Sequence, residues 1–575
     1  MSEKEISDEI ASRMGEQVAS DSKLLAECVN ICHIYNLTPE TLQFKWEAST
    51  FSATPARAHE TRFTFDSLQM VKQQINRERN TTKTKRTNPR NTAPVLSAAK
   101  RKLPAFMTRG QASGASARME EVSVKAEYLD SGIGASYDIA GSSAGTVSYE
   151  GPGRDERRER AYRYMYEKPG ERGEVLDDRI DDMAELIRDY YKIQELSDPS
   201  ASTDTEVIVV GRIVHDQENS SSTAKLTDAN IAIESSRMLS NGARVPLRLE
   251  PGLKIRGCAQ GAGGYGLFPG AIVGLKGRNG GGGWFSASEI IVPPMPIMTS
   301  TKRDPSAFSM HIGCGPFTPD TDLDYKPWKT LLRVLKKVKP SVVLLVGPFV
   351  DSNHPHIEGG EVDETPLAFF QRIFLEPLSD FLSSSPASLA ILVPSVRDLA
   401  SSHAVFPQSE FRPEVSMHAR IKLLPNPSTF SINGTRFSAS SVDVLFHLKT
   451  QELLKRGEEI GSVAPVAPDD SGSDAMGNLC RHVLQQRSFY PLFPVPLDVS
   501  HEVNLDVTHS KGLNLDEESL PDIIILPSKL KQFSKRVQMT RIINPSSALK
   551  GVYATLEVAG SDIRAEVLKM ETSDT

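Results

Sequence analysis

The sequence predicts a multidomain protein with a small all-α N-terminal domain, a small β-barrel and a C-terminal α/β domain. Three observations lead to this prediction. Apolar residues recur at helical spacing near the N-terminus, about five short strands separated by glycine and polar turns follow in residues 206–294, and a strand–helix–strand rhythm begins at Met310. The length of 575 residues also exceeds what one hydrophobic core normally organises.

The composition argues against several classes of protein. The net charge of -7 does not fit a globally basic nucleic-acid-binding protein. The 5 cysteines include no C-x-x-C pair, so neither a zinc ribbon nor a disulfide framework is indicated. No apolar run approaches the roughly 18 residues of a membrane span, and the polar start lacks the apolar core of a signal peptide. We therefore expect a soluble intracellular protein.

Residues 1–79 are predicted to form a small helical domain that docks a partner. One helical face carries five apolar residues: Leu24, Leu25, Cys28, Val29 and Cys32. The two cysteines lie one turn apart on this face, and no second pair of metal ligands follows them. Buried thiols therefore explain the cysteines better than a metal site does.

Residues 80–155 are predicted to form a disordered basic linker. They are rich in Ser, Thr, Gly, Ala and Arg and hold too little apolar surface to offset the entropy of ordering the chain. Two basic clusters with a spacer between them fit a bipartite nuclear localisation signal: Lys83, Lys85 and Arg86, then Lys100, Arg101 and Lys102. The alternative interpretation of these clusters is a solvated run of charge.

Thr54 is a possible phosphorylation site. It precedes Pro55, and Arg57 follows, which fits the preference of a proline-directed kinase. Tetrapeptides of this kind often occur by chance, so an unmodified threonine is the alternative.

Residues 156–205 are predicted to form a highly charged helical segment that breaks at Pro169. After the break, an apolar stripe indicates one packed face: Leu176, Ile180, Met183 and Ile187. Acidic residues alternate with arginines over the rest of the segment. This alternation favours a solvated face over nucleic-acid binding.

Residues 206–294 have strand patterning and predict a Greek-key barrel of the OB type. An OB barrel can bind single strands through aromatic side chains in a basic groove, but these strands are poor in aromatic residues apart from Trp284 and Phe285. A structural or protein-binding barrel is therefore favoured. A G-x-G-x-x-G match at residues 261–266 is not part of a βαβ unit, so we reject a dinucleotide site.

Residues 305–575 are predicted to form an α/β domain. Apolar runs within residues 309–325, 342–355 and 391–400 each end abruptly in a turn of Gly, Pro, Asp or Ser. Between the first two lies a helical pattern with an apolar stripe: Leu331, Leu332, Leu335 and Val338. Loops at the carboxyl ends of parallel strands share one edge of the sheet, where ligands normally bind. Any chemistry should therefore lie in these turns.

The strand-end turns resemble those of calcineurin-like metallophosphoesterases, in which Asp, Asn and His side chains hold two metal ions. In this sequence most of the ligand positions carry other residues: Cys314, Pro316, Pro348, Val396 and Arg397. Asp351 and Asp398 remain. A proline side chain has no ligand atom, and Arg397 would place a fixed positive charge where a dication should lie. The resemblance therefore implies a calcineurin-like phosphoesterase domain that lacks its metal site, with no catalytic residue, metal or cofactor.

An OB barrel followed by such a metal-free domain resembles the B subunits of eukaryotic replicative DNA polymerases, and among them those of DNA polymerase alpha. The most specific part of the resemblance is QQRSFYPLFP at residues 485–494. Other matching stretches are RYMYEK, EVLDDRID, LFPGAIVGLKG, GPF at Gly315, GPFVD at Gly347 and PSVRD at Pro394. The helical domain, the basic linker and RSFYPL favour alpha over the B subunits of polymerases delta and epsilon.

The resemblance implies a nuclear, non-catalytic accessory subunit of the polymerase alpha-primase complex. The barrel and the α/β domain would hold the C-terminal domain of the catalytic DNA polymerase alpha subunit, and through it the primase subunits. The N-terminal domain would bind other replication factors, DNA contact would be weak or indirect, and no membrane would be involved. The alternatives are a B subunit of polymerase delta or epsilon, an active metallophosphoesterase or nuclease, and a single-strand-binding OB protein.

Overall fold

The computed structural model describes most of the chain from residue 147 onwards. The described residues are 147–216, 225–297, 304, 306–415, 418–515, 520–560 and 562–571, with isolated positions between residues 10 and 44. The chain divides into two compact units, Met1–Tyr128 and Leu129–Thr575. None of the described helices is long and apolar enough to cross a membrane.

The first unit contains helical positions with buried side chains. Cys28 and Cys32 are both helical and buried, in agreement with the prediction of packed thiols. Thr54 and the two predicted basic clusters lie outside the described residues.

The second unit contains all the following elements. Its helices are α1 (Arg154–Arg160), α2 (Pro169–Tyr191), α3 (Arg237–Ser240), α4 (Lys326–Val338), α5 (Pro355–Glu358), α6 (Pro366–Phe370), α7 (Glu376–Ser384), α8 (Val444–Gln451), α9 (Ala475–Gln485) and α10 (Ser500–Val503). Its first ten strands are β1 (Tyr149–Glu150), β2 (Val207–His215), β3 (Ile231–Glu234), β4 (Arg244–Arg256), β5 (Gly264–Leu267), β6 (Ile272–Arg278), β7 (Phe285–Ile291), β8 (Phe308–Cys314), β9 (Val342–Val346) and β10 (Leu389–Val393). The remaining strands are β11 (Ile421–Leu423), β12 (Ser428–Ile432), β13 (Thr435–Ala439), β14 (Leu453–Arg456), β15 (Glu458–Ile460), β16 (Ile523–Ile525), β17 (Phe533–Val537), β18 (Thr540–Asn544), β19 (Val552–Ala559) and β20 (Asp562–Lys569).

Helix α2 packs along the outside of the barrel. It begins with a proline, and the Glu171 carboxylate accepts a hydrogen bond from the backbone N–H of Lys168 at 3.1 Å, which caps the first turn. Its buried residues are Ile180, Met183, Ala184 and Ile187. They pack against three barrel residues, Val210, Ile272 and Ile291. The predicted apolar stripe is present, although Leu176 is only partly buried.

Strands β2, β3, β4, β6 and β7 close into the five-stranded barrel that the sequence predicts. Strand β2 pairs antiparallel with β3 and β6, β3 pairs with β4, and β6 pairs with β7. Parallel pairing of β4 with β7 closes the barrel. Every strand contributes apolar side chains to the interior, among them Val209, Ile233, Leu247, Leu275 and Ile290.

Strand β5 forms within a glycine-rich stretch, residues 257–266, that the sequence presents only as an insertion. It pairs antiparallel with β14, and the neighbouring β15 pairs parallel with β4. A Cβ atom at Gly264 would lie 2.5 Å from the carbonyl oxygen of Lys455, so this close pairing requires glycine. Of the two strands from the second half of the chain, β15 therefore extends the barrel sheet, and β14 forms a separate two-stranded sheet with β5.

Two six-stranded sheets pack face to face in the α/β region. The first has the order β11-β10-β9-β8-β19-β20, and its strands β8 to β11 are parallel. The second has the order β1-β12-β13-β16-β18-β17. Strand β1 lies inside the range predicted as linker, because a strand of two residues leaves no recognisable pattern. The core between the sheets includes Ile312, Leu344, Ile391, Phe437 and Ile523.

Helices α4 and α7 cover the outer face of the first sheet. Helix α4 buries one face against the sheet through Trp328, Leu331, Leu332 and Leu335. The predicted apolar stripe is correct for the three leucines and wrong for Val338, whose side chain is 52% exposed. The reason is that α4 ends at Val338, where Lys339 adopts a left-handed conformation with a φ of 54°.

Gln486 joins the barrel to the α/β region. Its Oε1 accepts a hydrogen bond from the backbone N–H of Ile272 at 3.0 Å, and its Nε2 donates to the carbonyl oxygen of Ile272 at 2.9 Å. The side chain is fully buried. Nearby, the backbone N–H of Phe493 donates to the carbonyl oxygen of Pro269 at 3.0 Å. A side-chain amide thus continues the hydrogen bonding of a barrel strand.

We expect Gln486→Ala to lower the free energy of unfolding by about 2 to 4 kcal/mol, because it leaves two buried backbone groups of Ile272 without their partner. Gln451→Ala, at the half-buried last residue of α8, is the matched control and should cost less than about 1 kcal/mol. Urea denaturation measures both values. Equal losses in the two variants would contradict the role assigned to Gln486.

Candidate functional site

The strand-end turns that were expected to carry chemistry lie side by side at one sheet edge. Strands β8, β9 and β10 are parallel neighbours, and the backbone N–H of Gly315 donates to the carbonyl oxygen of Val346 at 2.9 Å. A Cβ atom at Gly315 would lie 2.1 Å from the carbonyl oxygen of Pro348. One at Gly347 would lie 2.3 Å from a carboxylate oxygen of Asp398. The turns are therefore in direct contact with one another.

Four of the predicted positions offer poor metal ligands. Cys314 is buried, and burial raises the pKa of its thiol, which disfavours the thiolate form that binds metals. Pro316 and Pro348 have no side-chain ligand atom, and the carbonyl oxygen of Pro316 accepts a hydrogen bond from the backbone of Leu549 at 3.1 Å. Val396 packs in the large core that includes the barrel interior.

The two G-P-F turns instead supply aromatic side chains to the core. The rings of Phe317 and Phe349 stack with centroids 5.6 Å apart and an interplanar angle of 11°. Both rings lie 5.3 Å from the ring of Phe374. The same cluster contains Tyr325, Trp328, Phe369, Phe370 and Phe411. These turns therefore stabilise the packing between the sheet and its covering helices.

Asp398 clamps two of the turns together. Its carboxylate accepts hydrogen bonds from the backbone N–H groups of Val350 at 2.9 Å, Ser395 at 2.8 Å and Phe349. The side chain is buried, and burial raises the pKa of Asp398 to about 7, although the three hydrogen bonds oppose this shift. The retained carboxylate thus acts as an acceptor for backbone donors.

Asp351 and Arg397 neutralise each other. A guanidinium nitrogen of Arg397 lies 3.2 Å from a carboxylate oxygen of Asp351, and both side chains are largely buried. Burial raises the pKa of Asp351, whereas the charge of Arg397 lowers it. The arginine therefore gives the remaining carboxylate a cationic partner at a position where the resemblance places a metal ligand.

A second charged pair extends this network, and sequence reasoning missed most of it. Lys529 Nζ lies 2.8 Å from the Glu502 carboxylate, and the buried His447 lies 3.8 Å from the same group. The nearby His447, the ion pair with Lys529 and the charge of Arg397 lower the pKa of Glu502 to about 2. No local motif marks Glu502 or His447 as neighbours of Lys529.

One group of three potential metal ligands exists within the described ranges: Glu167, Asp506 and His509. It contains none of the predicted positions. His509 Nδ1 lies 3.0 Å from an Asp506 carboxylate oxygen, and its ring stacks on that of Tyr162 with centroids 3.6 Å apart. The group connects the segment between α1 and α2 to the α/β region, which explains it as a structural contact.

The barrel surface carries a cleft of about 290 Å³, lined by Thr203, Asp204, Arg278, Gly280, Trp284 and Ser286. The guanidinium of Arg248 lies over the ring of Trp284 at 3.6 Å. A Cβ atom at Gly282 would lie 2.6 Å from the same ring. These contacts leave Trp284 poorly suited to stacking on a base, which favours the structural or protein-binding interpretation of the barrel.

Sequence comparisons match both halves of this unit to one group of proteins. The family model for the OB domain of the B subunit of DNA polymerase alpha matches residues 173–292, which include most of α2 and the whole barrel. The family model for the B subunit of DNA polymerases alpha and epsilon matches residues 310–535, which include the strand-end turns. The closed five-stranded barrel and the first of these matches both fit an OB fold.

Three curated relatives are each named as the B subunit of DNA polymerase alpha. The chain is 35% identical to the protein from Schizosaccharomyces pombe over 416 residues, which cover 69% of this chain and 68% of the relative. It is 29% identical to the Saccharomyces cerevisiae protein over 70% of this chain and 61% of the relative. It is 27% identical to the Mus musculus protein over 73% of this chain and 64% of the relative. The chain thus matches about two thirds of each relative.

We expect the stability difference between Asp398→Asn and the wild type to change between about pH 4 and pH 8. An aspartate in an unfolded chain has a pKa of about 3.9, and the pKa of Asp398 is raised to about 7 in the folded protein. Ionisation of Asp398 therefore costs stability as the pH rises through this window, and the cost is absent below it. Asparagine does not ionise and avoids the cost.

Relative to the wild type, the unfolding free energy of Asp398→Asn should rise by up to about 4 kcal/mol over this pH range. Urea denaturation at both ends of the range measures it. Asp380→Asn, at an exposed residue of α7, is the control and should show a constant difference. A constant difference for Asp398→Asn as well would contradict the raised pKa.

Proposed function

The chain belongs to the family of B subunits of DNA polymerase alpha, and from this membership we propose that it is a non-catalytic scaffold of the polymerase alpha-primase complex. In this role it holds the C-terminal domain of the catalytic polymerase subunit and, through that subunit, the primase subunits. The observation that carries the proposal is the continuous joint between the barrel and the α/β region, formed by Gln486, β5 with β14 and β4 with β15.

The proposal that the chain has no catalytic activity rests on the strand-end turns. We infer that the α/β region is a calcineurin-like phosphoesterase domain whose metal positions carry Cys314, Pro316, Pro348, Val396 and Arg397. Asp351 and Asp398 remain as carboxylates, but one is paired with an arginine and the other accepts three backbone N–H bonds. Neither is available to bridge two metal ions in this arrangement.

The proposed docking body consists of the barrel, helix α2 and the α/β region. All three lie in one compact unit, so a partner can contact them at the same time. A stable complex generally buries about 2,000 Å² or more, which a barrel of this size does not offer alone. A fragment that tests this body has to include α2 and β1, because a start at the first barrel strand would remove both from their packing partners.

The remaining parts of the proposed function concern the first 128 residues and the linker. We propose that the N-terminal domain binds other replication factors, and that the tether increases their effective concentration near the polymerase. The basic clusters at Lys83–Arg86 and Lys100–Lys102 are proposed to support nuclear import, and Thr54 to accept phosphate. No observation favours a B subunit of polymerase delta, and the OB-domain match and the named relatives favour alpha over epsilon.

We expect the purified protein to bind no manganese, iron or zinc through its strand-end turns and to hydrolyse no phosphodiester, because the ligand positions are replaced. Elemental analysis and a nuclease assay with added Mn²⁺ measure this. Two metal ions per chain, together with an activity that Asp351→Ala abolishes, would overturn the proposal. His509→Ala is the control that identifies metal held instead by Glu167, Asp506 and His509.

A fragment of residues 129–575 should retain the C-terminal domain of the catalytic subunit, whereas residues 1–128 should not. The reason is that the first fragment contains the complete second compact unit. Pull-down with each fragment, after circular dichroism has established that both are folded, gives the answer. Retention by residues 1–128 alone would refute the proposed docking body.

A further inference from the structure

A half-buried arginine lies where α2 meets the α/β region. Arg179 on α2 donates through one guanidinium nitrogen to Asn514 Oδ1 at 3.1 Å and through another to the carbonyl oxygen of Gln486. Both acceptors are neutral. Among the described residues, no carboxylate lies within ion-pair distance of Arg179, and the nearest one that influences it is that of Asp182.

A second arginine lies on the adjacent barrel strand. Arg212 pairs in register with Ile272, the residue whose backbone is hydrogen-bonded to the side chain of Gln486. On β2, Arg212 lies on the same face as Val210, which packs against α2. Its side chain is 6% exposed. One guanidinium nitrogen donates to the Glu234 carboxylate at 3.0 Å, but Nε has no acceptor among the described residues. Glu234 is also shared with Arg244, at 3.4 Å.

Arg487 directly follows Gln486, whose carbonyl oxygen accepts from Arg179, and the charge of the Arg487 guanidinium acts on Arg179. Its backbone is fixed by two hydrogen bonds, to the carbonyl oxygen of Leu484 and from the N–H of Leu515, both at 3.0 Å. Together with burial, the charges of Arg212 and Arg487 lower the pKa of Arg179 to about 10. Two further cations, from the barrel and from the α/β region, therefore act on Arg179 at this seam.

We propose that Arg179, Arg212 and Arg487 form a binding site for a single phosphate group at the seam between α2, the barrel and the α/β region. Guanidinium groups bind oxyanions through paired N–H donors, and the unused Nε of Arg212 is one such donor. A carboxylate has two oxygens and satisfies one guanidinium fork. A tetrahedral phosphate has enough oxygens to accept from all three.

The surroundings favour a compact anion over a nucleic-acid strand. The exposed face of α2 carries six carboxylates, of which that of Asp182 acts on Arg179: Glu171, Glu174, Asp178, Asp182, Glu185 and Asp189. They would repel the successive phosphates of an extended backbone. The phosphate could be free or could be the terminal group of a nucleotide, and both sources share the chemistry that the arginines recognise.

The test measures binding of inorganic phosphate to the full chain by equilibrium dialysis with radiolabelled phosphate, at constant ionic strength set with sodium chloride. We expect saturable binding of one phosphate per chain. Arg179→Gln and Arg487→Gln should each weaken it by about tenfold or more, since each removes charge-assisted hydrogen bonds. Arg172→Gln, at an exposed arginine of the same helix, is the matched control and should bind as the wild type does.

Two competition arms distinguish the sources of the phosphate. If ATP displaces the radiolabelled phosphate from the wild type but not from Arg179→Gln, the site binds a nucleotide phosphate. If only unlabelled phosphate displaces it, the site binds the free ion. Displacement by a single-stranded oligonucleotide without a terminal phosphate would contradict a single-phosphate site. Absence of phosphate binding would overturn the proposal. Equal binding by all variants would also overturn it, because it would indicate an adventitious ion only. If Arg179→Gln does not fold, Arg487→Gln decides the result, because it changes no hydrogen bond of Gln486.

Discussion

The amide of Gln486 is the contact on which the relation between the barrel and the α/β region depends. It replaces a neighbouring strand for Ile272, because its oxygen and nitrogen take up the N–H and C=O of that residue. Buried backbone groups without partners are costly, so this position cannot move away without losing two hydrogen bonds. The strand pairs β5 with β14 and β4 with β15 fix the joint at further points. The two parts are therefore held as one body.

The carboxylates near the strand-end turns have their partners within the chain. A buried carboxylate needs a cation or several hydrogen-bond donors to offset its lost hydration. Arg397 supplies a cation to Asp351, Lys529 supplies one to Glu502, and three backbone N–H groups serve Asp398. Each of these three acidic groups thus has a local partner within the chain. Their charge balance does not require an external ion.

The sequence predicted the elements with strong periodicity and missed those that depend on distant residues. The barrel strands and the leucines of α4 were correct because alternation and helical spacing are local signals. Strand β5 was missed because glycines mask strand patterning, and Val338 was placed wrongly because the helix ends there. The residues of the candidate edge were identified by their turns, but the partners Glu502 and His447 lie far along the chain, and no spacing rule connects them to Arg397. The hydrogen bonds of the Gln486 side chain to Ile272 could not be predicted either, since a single glutamine has no periodic signal.

The closed packing of the turns also limits where a partner can bind. An enzyme of this architecture needs space at the strand ends for ions and substrate. Here Phe317 and Phe349 point into the aromatic cluster, and Gly347 lies against Asp398 so closely that a methyl group would not fit. The turns are filled by side chains of this chain. In the proposed complex the partner uses the broad faces on both sides of the joint, which present more than one element of the body at once. The joint holds the barrel and the α/β region in a fixed relation, which is what the proposed scaffold requires. The strand-end turns stabilise the packing of the α/β region.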